Sequence, residues 1–176
     1  HAHQELTYLT EERKYSPEAI SKSEWCYFPK EEEIRTYLTS LFPLNTEEIA
    51  ALPLRGRMKD FSHLAFPYRN RRGEITGFVK RFPSKEGKII GEKPERWDST
   101  SGISKNDLFN LHACKGKDRL LAIEGYPDAL IFSALGMDNV VAVGQGKLSE
   151  SHIEGLEMNQ VKYVTISFDN DDVGPG

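Results

Sequence analysis

The sequence predicts an α+β segment of helices with a β-hairpin, followed by an α/β segment with a parallel sheet that is truncated at its C-terminus. Two observations support this prediction. Apolar residues recur at helical spacing in residues 1–54, and strand and helix patterns alternate after residue 117. Such alternation is typical of a parallel sheet with right-handed crossovers. We therefore expect two domains, residues 1–117 and residues 118–176.

In the first segment, helices are predicted to start at Ser16 and at Asn45, because Ser-Pro and Asn-Thr pairs commonly begin helices. Two strands with alternating apolar residues are predicted at residues 64–68 and 75–79. The sequence Asn-Arg-Arg-Gly at residues 70–73 has the composition of a turn. This part of the chain is therefore predicted to form a β-hairpin.

The second segment shows a regular order of strand, helix, strand, helix and strand. The three strands are predicted at residues 120–123, 139–143 and 163–168, and the two helices between them at residues 128–135 and 149–156. Because parallel strands need a crossover between them, each helix is expected to connect two strands of one sheet.

Length and composition exclude several classes of protein. The chain has 176 residues, enough to bury a core without disulfides, and its apolar runs are far shorter than the roughly 20 residues that span a bilayer. We expect a cytoplasmic protein with no membrane partner. Two cysteines, Cys26 and Cys114, cannot form a four-ligand zinc site. The start, residues 1–4, has neither an initiator methionine nor a signal core, which indicates a fragment of a longer protein.

Charge is segregated along the chain, although the net charge is only −4. Residues 55–105 hold 13 Lys or Arg and 6 Asp or Glu, whereas residues 118–176 hold 3 and 10. The basic stretch indicates either a polyanion contact or a solvated charged face, and charge alone leaves both open. Part of it, residues 83–105, is rich in polar residues, Pro and Gly and is predicted as an irregular loop or a ribbon with weak strands.

Carboxylates follow two strands of the second segment. Glu124 comes directly after the first strand, Asp169 and Asp171 follow the third, and Asp128 lies one helical turn beyond Glu124. Carboxyl ends of parallel strands form a ligand crevice, and clustered carboxylates require cations such as Mg²⁺ or Mn²⁺. The alternative is that the aspartates are turn residues and helix caps. Gly125 is expected to permit a tight turn after the strand.

These motifs resemble a known family. Residues 123–129, Ile-Glu-Gly-Tyr-Pro-Asp-Ala, and residues 168–174, Phe-Asp-Asn-Asp-Asp-Val-Gly, are similar to the two signature motifs of the TOPRIM domain in bacterial DnaG-type primases. Residues 66–81 resemble the hairpin ahead of that domain. Residues 8–13 and 16–20 resemble the helical entry into the primase polymerase domain. The resemblance spans nearly the whole chain and implies a primase catalytic core.

The resemblance also implies roles for individual residues. Glu124, Asp169 and Asp171 are implied to be catalytic and to hold divalent metals, Mg²⁺ or Mn²⁺, with Asp128 as a further metal ligand. Basic side chains are implied to bind nucleic acid or nucleotide, and the candidates are Arg57, Arg81, Arg96 and Lys105. At His63 the family usually has Arg, and Trp97 stands where an aliphatic residue is common.

The implied function is metal-dependent nucleotidyl transfer: synthesis of short RNA primers on a single-stranded DNA template during replication. The implied partners are single-stranded DNA, ribonucleoside triphosphates and a replicative helicase that binds through regions outside this chain, at the nucleoid. The family's zinc module and third acidic motif also lie outside the chain, so no zinc is expected here and activity of the isolated chain stays open.

Two alternatives remain. One is the primase region of a primase-helicase of phage or mitochondrial type, which a phosphate-binding loop in a motor domain would identify. The other is a non-catalytic TOPRIM protein of a mobile element that binds nucleic acid without synthesis. The departure at His63 and the divergent loop around Trp97 keep the second alternative open.

Overall fold

The chain forms two compact units. The computed structural model describes residues 6–43, 45–51, 63–84, 88–90, 93–100, 103–104, 106–144 and 146–168. The first unit contains the residues up to 68 together with 75–103, and the second contains 69–74 together with the residues from 104 onward. The domain border predicted from the sequence lay after residue 117. Leu108, Leu111 and Cys114 pack in the core of the second unit, which is why contacts assign them to it.

The first unit begins with helices. They are a π-helical turn at Tyr8–Glu12 and the α-helices α1 (Pro17–Lys22), α2 (Glu31–Leu41) and α3 (Thr46–Ala51). The Ser16 hydroxyl accepts a hydrogen bond from the backbone N–H of Ala19 at 3.1 Å. Asn45 and Glu48 exchange side-chain and backbone hydrogen bonds of 2.8 and 2.9 Å. Both predicted helix starts are confirmed, and each satisfies amides that a helix leaves without partners.

Six strands follow or interleave with these helices. They are β1 (Cys26–Phe28), β2 (His63–Arg69), β3 (Ile75–Arg81), β4 (Lys88–Ile90), β5 (Lys93–Glu95) and β6 (Trp97–Ser99). Strands β1, β2, β3 and β6 form one sheet in that order, and β4 pairs with β5. The predicted hairpin of β2 and β3 is confirmed, and its turn is closed by a 3.0 Å bond from Asn70 N to Glu74 O. Strand β1 was not predicted.

The core of the first unit contains residues distant in sequence. Tyr8 and Leu9 of the π-helical turn pack with Leu64 of β2. Trp25 places its ring edge-on to Phe66, with the centroids 4.9 Å apart. Aromatic pairs in this geometry stabilise a core beyond the apolar area that they bury.

The second unit has the predicted alternation. A 3₁₀ turn at Leu111–Cys114 precedes β7 (Arg119–Ile123), α4 (Tyr126–Ala134), β8 (Val140–Ala142), α5 (Glu150–Met158) and β9 (Tyr163–Ser167). Both strand pairs of this sheet are parallel, and β7 lies between β8 and β9. The predicted order of strands and helices is confirmed.

Aliphatic packing holds this second sheet. Leu120, Ala122 and Val141 form a buried cluster with Leu156 of α5. Within the described residues, no helix is long and apolar enough to cross a membrane. The central position of β7 matters for the site, because the residue that follows it lies at the middle of the carboxyl edge of the sheet.

Candidate functional site

Glu124 lies at the carboxyl end of the central strand. The residue before it, Ile123, is in register with Ala142 of β8 and Ser167 of β9. The carbonyl of Glu124 accepts a 2.9 Å hydrogen bond from the backbone N–H of Gly144. This hydrogen bond fixes the backbone of Glu124 at the carboxyl end of the strand, which is the edge where parallel sheets bind ligands.

Asp128 approaches the backbone directly after Glu124. It lies in the first turn of α4, and a Cβ atom placed on Gly125 would lie 2.5 Å from its Oδ2. Gly125 has φ −84°, a value that any residue adopts, so the backbone conformation there does not require glycine. A side chain at this position would have to displace the Asp128 carboxylate.

Tyr126 and Gly144 support the same loop. Gly144 has φ +68°, and a Cβ atom there would overlap the Tyr126 hydroxyl group. The Tyr126 ring packs on Phe109 at 5.2 Å between centroids. Sequence analysis missed this contact, although a glycine directly after a buried apolar strand is a detectable signal of close backbone approach.

The carboxylates fit a hard divalent cation, which prefers oxygen ligands. Glu124 follows the end of the central strand, and an Asp128 oxygen occupies the space above the next residue, Gly125. The other predicted ligands, Asp169 and Asp171, lie outside the described residues; they follow β9, the neighbour of β7, in sequence. Among the residues that the structure describes, no group of three or more His, Cys, Asp or Glu side chains is close enough to hold a metal.

Arg81 ends strand β3 and is buried, with 6% of its surface exposed. Its Nε donates a 3.0 Å hydrogen bond to the Tyr8 hydroxyl, and its Nη2 donates to the Ser84 carbonyl at 3.2 Å. Its Nη1 is buried and has no hydrogen-bond partner among the described residues. The guanidinium carbon lies 5.0 Å from the Trp97 ring centroid and 5.4 Å from that of Tyr8. Both distances are within the cation–π range.

Of the other three basic candidates, one lies within the described residues and two do not. Arg96 lies between β5 and β6 with an exposed side chain, and its carbonyl accepts a 3.0 Å bond from Phe82 N. Arg57 and Lys105 lie outside the described residues. The structure therefore describes one buried and one exposed member of the predicted basic set.

A second buried cation, Lys80, lies beside Arg81 in sequence. Only 1% of Lys80 is exposed, and its Nζ lies 3.1 Å from Asp98 Oδ2 across the β3–β6 pair. Buried His63 has no hydrogen-bond partner for either ring nitrogen among the described residues. Burial, and then the charge of Lys80, lower the pKa of His63 to about 4. His63 is therefore neutral at pH 7 and does not replace the positive charge of the family's arginine.

The cysteines offer no activated thiolate. Burial raises the pKa of Cys114 to about 11, and burial also raises the pKa of Cys26. Both are free thiols. A cysteine nucleophile would need the opposite shift of its pKa.

Comparison with known proteins identifies relatives along the whole chain. Residues 118–175 match the family model of the Toprim domain. The DNA primase of Mycoplasma pneumoniae is 27% identical over 197 residues, which cover 97% of this chain and 31% of that protein. The DNA primase of Pseudomonas aeruginosa is 31% identical over 62% of this chain and 16% of its own length. This chain thus spans less than a third of these curated relatives.

Solved structures share the fold. The RNA polymerase domain of Mycobacterium tuberculosis primase DnaG matches with a TM-score of 0.72 at 20% identity, over 96% of this chain and 60% of that one. A DnaG primase catalytic domain bound to single-stranded DNA matches with a TM-score of 0.67 at 24% identity, over 98% and 56%. Together, the Toprim match, the primase relatives and this shared fold support a fragment similar to the bacterial DnaG-type primases.

Proposed function

We propose that this chain supplies part of the catalytic core with which a DNA primase synthesises short RNA primers on single-stranded DNA. The observation that carries the proposal is the approach of Asp128 to the backbone after Glu124, at the carboxyl end of β7. The next strand in the sheet, β9, is followed in sequence by Asp169 and Asp171. The relatives that are DNA primases support the same conclusion.

In the proposed reaction, the 3′-hydroxyl of one ribonucleotide attacks the α-phosphate of the next, and pyrophosphate leaves. Mg²⁺ or Mn²⁺, when bound, lowers the pKa of the attacking hydroxyl and neutralises charge that develops on the phosphate. Glu124, Asp169 and Asp171 would hold the cations through carboxylate oxygens, and Asp128 would be a further ligand. The fixed backbone of Glu124 keeps the first of these ligands in place without substrate.

The basic side chains hold the polyanionic partners in this proposal. Arg81 and Arg96, with Arg57 and Lys105, contact phosphates of the template and of the ribonucleoside triphosphates. Such contacts position a nucleic acid without reading its sequence, and they weaken steeply with salt. A replicative helicase would bind through parts of the protein beyond these residues, and the activity would take place at the nucleoid.

The proposal is tested with Glu124→Gln, which keeps the side-chain shape and removes one charge. In the full-length protein, we expect incorporation of labelled ribonucleotides on a single-stranded template to fall by about 100-fold or more. Calorimetry should show weaker Mn²⁺ binding. The matched control is Glu154→Gln, the same change at an exposed position of α5, and it should leave both measurements unchanged.

Two outcomes would contradict the proposal. If Glu124→Gln still makes primers at the unaltered rate, the metal assignment is wrong. If the unaltered full-length protein binds single-stranded DNA but incorporates no ribonucleotide at any Mg²⁺ or Mn²⁺ concentration, the non-catalytic TOPRIM alternative replaces primer synthesis.

A further inference from the structure

Two side chains contact the guanidinium of Arg81: Tyr8 anchors it through a hydrogen bond, and Trp97 covers it. Tyr8, 73 residues earlier in the chain, accepts from Nε and is itself buried in the core of the first unit. Trp97 lies opposite Arg81 in the β3–β6 register and is 38% exposed. Trp97 belongs to a three-residue edge strand, β6, and besides Arg81 its ring meets Phe66 edge-on at 6.4 Å, so it is held by fewer contacts than the buried Tyr8.

The hydrogen bonding of this guanidinium is incomplete. Nε and Nη2 have acceptors, whereas Nη1 is buried with none among the described residues. A desolvated, charged donor without an acceptor is costly, and the neighbouring buried cation, Lys80, does have a carboxylate partner. The acceptor that best matches a guanidinium N–H is an anionic oxygen such as that of a phosphate.

Resting on the nucleic-acid contact proposed above, we infer that Tyr8 is a positioning residue. Its hydroxyl fixes Arg81 through Nε, so that Nη1 takes a phosphate oxygen of the nucleic acid when the Trp97 ring turns aside. Tyr8 does not itself contact nucleic acid. Removing only its hydroxyl should therefore weaken nucleic-acid binding through Arg81 and through no other group.

The test measures binding of a fluorescein-labelled oligothymidylate to the 176-residue chain by anisotropy at low salt. We expect Tyr8→Phe to weaken binding about three- to tenfold, the range of one lost hydrogen bond. Arg81→Lys, which keeps the charge but lacks Nε, should weaken binding at least as much. The double variant should bind no more weakly than Arg81→Lys alone, because the two residues act through one contact.

Tyr15→Phe is the matched control. The Tyr15 hydroxyl also accepts from an arginine, Arg13, through bonds of 3.2 and 2.8 Å. The same change of one hydroxyl is therefore made at a tyrosine bonded to a different arginine, and it should leave oligothymidylate affinity unchanged. Equal losses in Tyr15→Phe and Tyr8→Phe would contradict the inference.

The outcomes separate this inference from the proposed function. If Arg81→Lys binds as tightly as the unaltered chain, with the same salt dependence, the proposed nucleic-acid contact at Arg81 is wrong. If Arg81→Lys weakens binding while Tyr8→Phe does not, or if the two losses add, only the positioning role of Tyr8 is wrong.

A spectroscopic measurement decides the matter if Tyr8→Phe fails to fold. The chain has two tryptophans, so Trp25→Phe leaves Trp97 as the single emitter. Saturating oligothymidylate should shift Trp97 emission to the red as the ring leaves Arg81 and meets solvent. An unchanged emission spectrum at saturation would overturn the inference.

Discussion

The two units differ in whether charged side chains are buried among their described residues. In the first unit the sheet buries His63, Lys80 and Arg81, whereas the described core of the second unit is apolar. The one buried charged or polar side chain described in the second unit, His152, belongs to a helix cap. The carboxylate of Glu124 follows a strand end instead of entering the core.

This difference shows that a count of charges along the sequence does not distinguish exposed charged residues from buried ones. The excess of basic residues between 55 and 105 predicted a contact surface, yet two of those residues, Lys80 and Arg81, are internal. Lys80 is compensated by Asp98 and lies over the Phe28 ring at 5.6 Å, which offsets the cost of its desolvation. Among the described residues, the first unit therefore contains a buried charge pair, Lys80–Asp98, whose disruption would leave a charge in the interior, and the second unit contains none.

The largest expected effect comes from breaking the buried pair. Lys80→Met removes the cation that lies 3.1 Å from the largely buried Asp98 carboxylate, so the free energy of unfolding should fall by about 3–5 kcal/mol. The comparison variant is Lys117→Met in the second unit. There Lys117 Nζ lies 2.5 Å from Asp138 Oδ2, and both side chains are exposed. Its loss should cost less than about 1 kcal/mol. Urea unfolding of both variants measures the difference, and equal losses would contradict it.

The second unit is expected to be most sensitive to backbone space instead. Gly144→Ala should lower the free energy of unfolding by about 2–4 kcal/mol, because φ is positive and the new methyl group meets the Tyr126 hydroxyl. Gly136→Ala is the control, since Gly136 also has positive φ, +97°, but open space around it. It should cost about 1 kcal/mol. Similar costs at both positions in thermal melts would show that Tyr126 imposes no constraint.

Acid should distinguish the units through His63. Its pKa is lowered from 6.5 to about 4 in the folded chain, so as pH falls the unfolded chain binds the proton first. The contribution of this pKa shift to the free energy of unfolding is fully present above pH 6.5. It is lost progressively toward pH 4, by about 3 kcal/mol at most. Denaturant unfolding across this range should show a shallower loss in His63→Leu than in the unaltered chain. Parallel pH profiles would contradict the assignment.

Local signals explain which elements were predictable. The strand and helix order of the second unit follows from apolar runs and their spacing, and Ser16 and Asn45 mark helix starts through caps that involve residues three positions away. Strand β1 has only three residues and pairs with β2, so Cys26 meets Ala65 across 39 positions. No local pattern contains that pairing.

The candidate site likewise contains residues whose placement the sequence predicts and a residue whose burial it does not. Glu124 and Asp128 were predictable because a strand end and one helical turn define their positions. The burial of Arg81 was not, because Tyr8 and Trp97 cover it from separate elements. A basic residue at the end of an alternating strand has the same sequence pattern whether it faces solvent or an aromatic neighbour.

The smallest expected effect should be the same in both units, because helix caps act locally. The Ser149 hydroxyl accepts from His152 N at 3.2 Å at the start of α5, and the Ser16 hydroxyl accepts from Ala19 N at the start of α1. Ser149→Ala and Ser16→Ala should each lower the free energy of unfolding by about 1 kcal/mol, since each leaves one amide of a first helical turn without its acceptor. Urea unfolding of the two variants, with the exposed Ser40→Ala in α2 as a control outside any cap, measures both losses. A loss at Ser16 several times that at Ser149 would mean that the first unit also depends on its caps for tertiary packing, and the contrast between the units would then extend beyond buried charge.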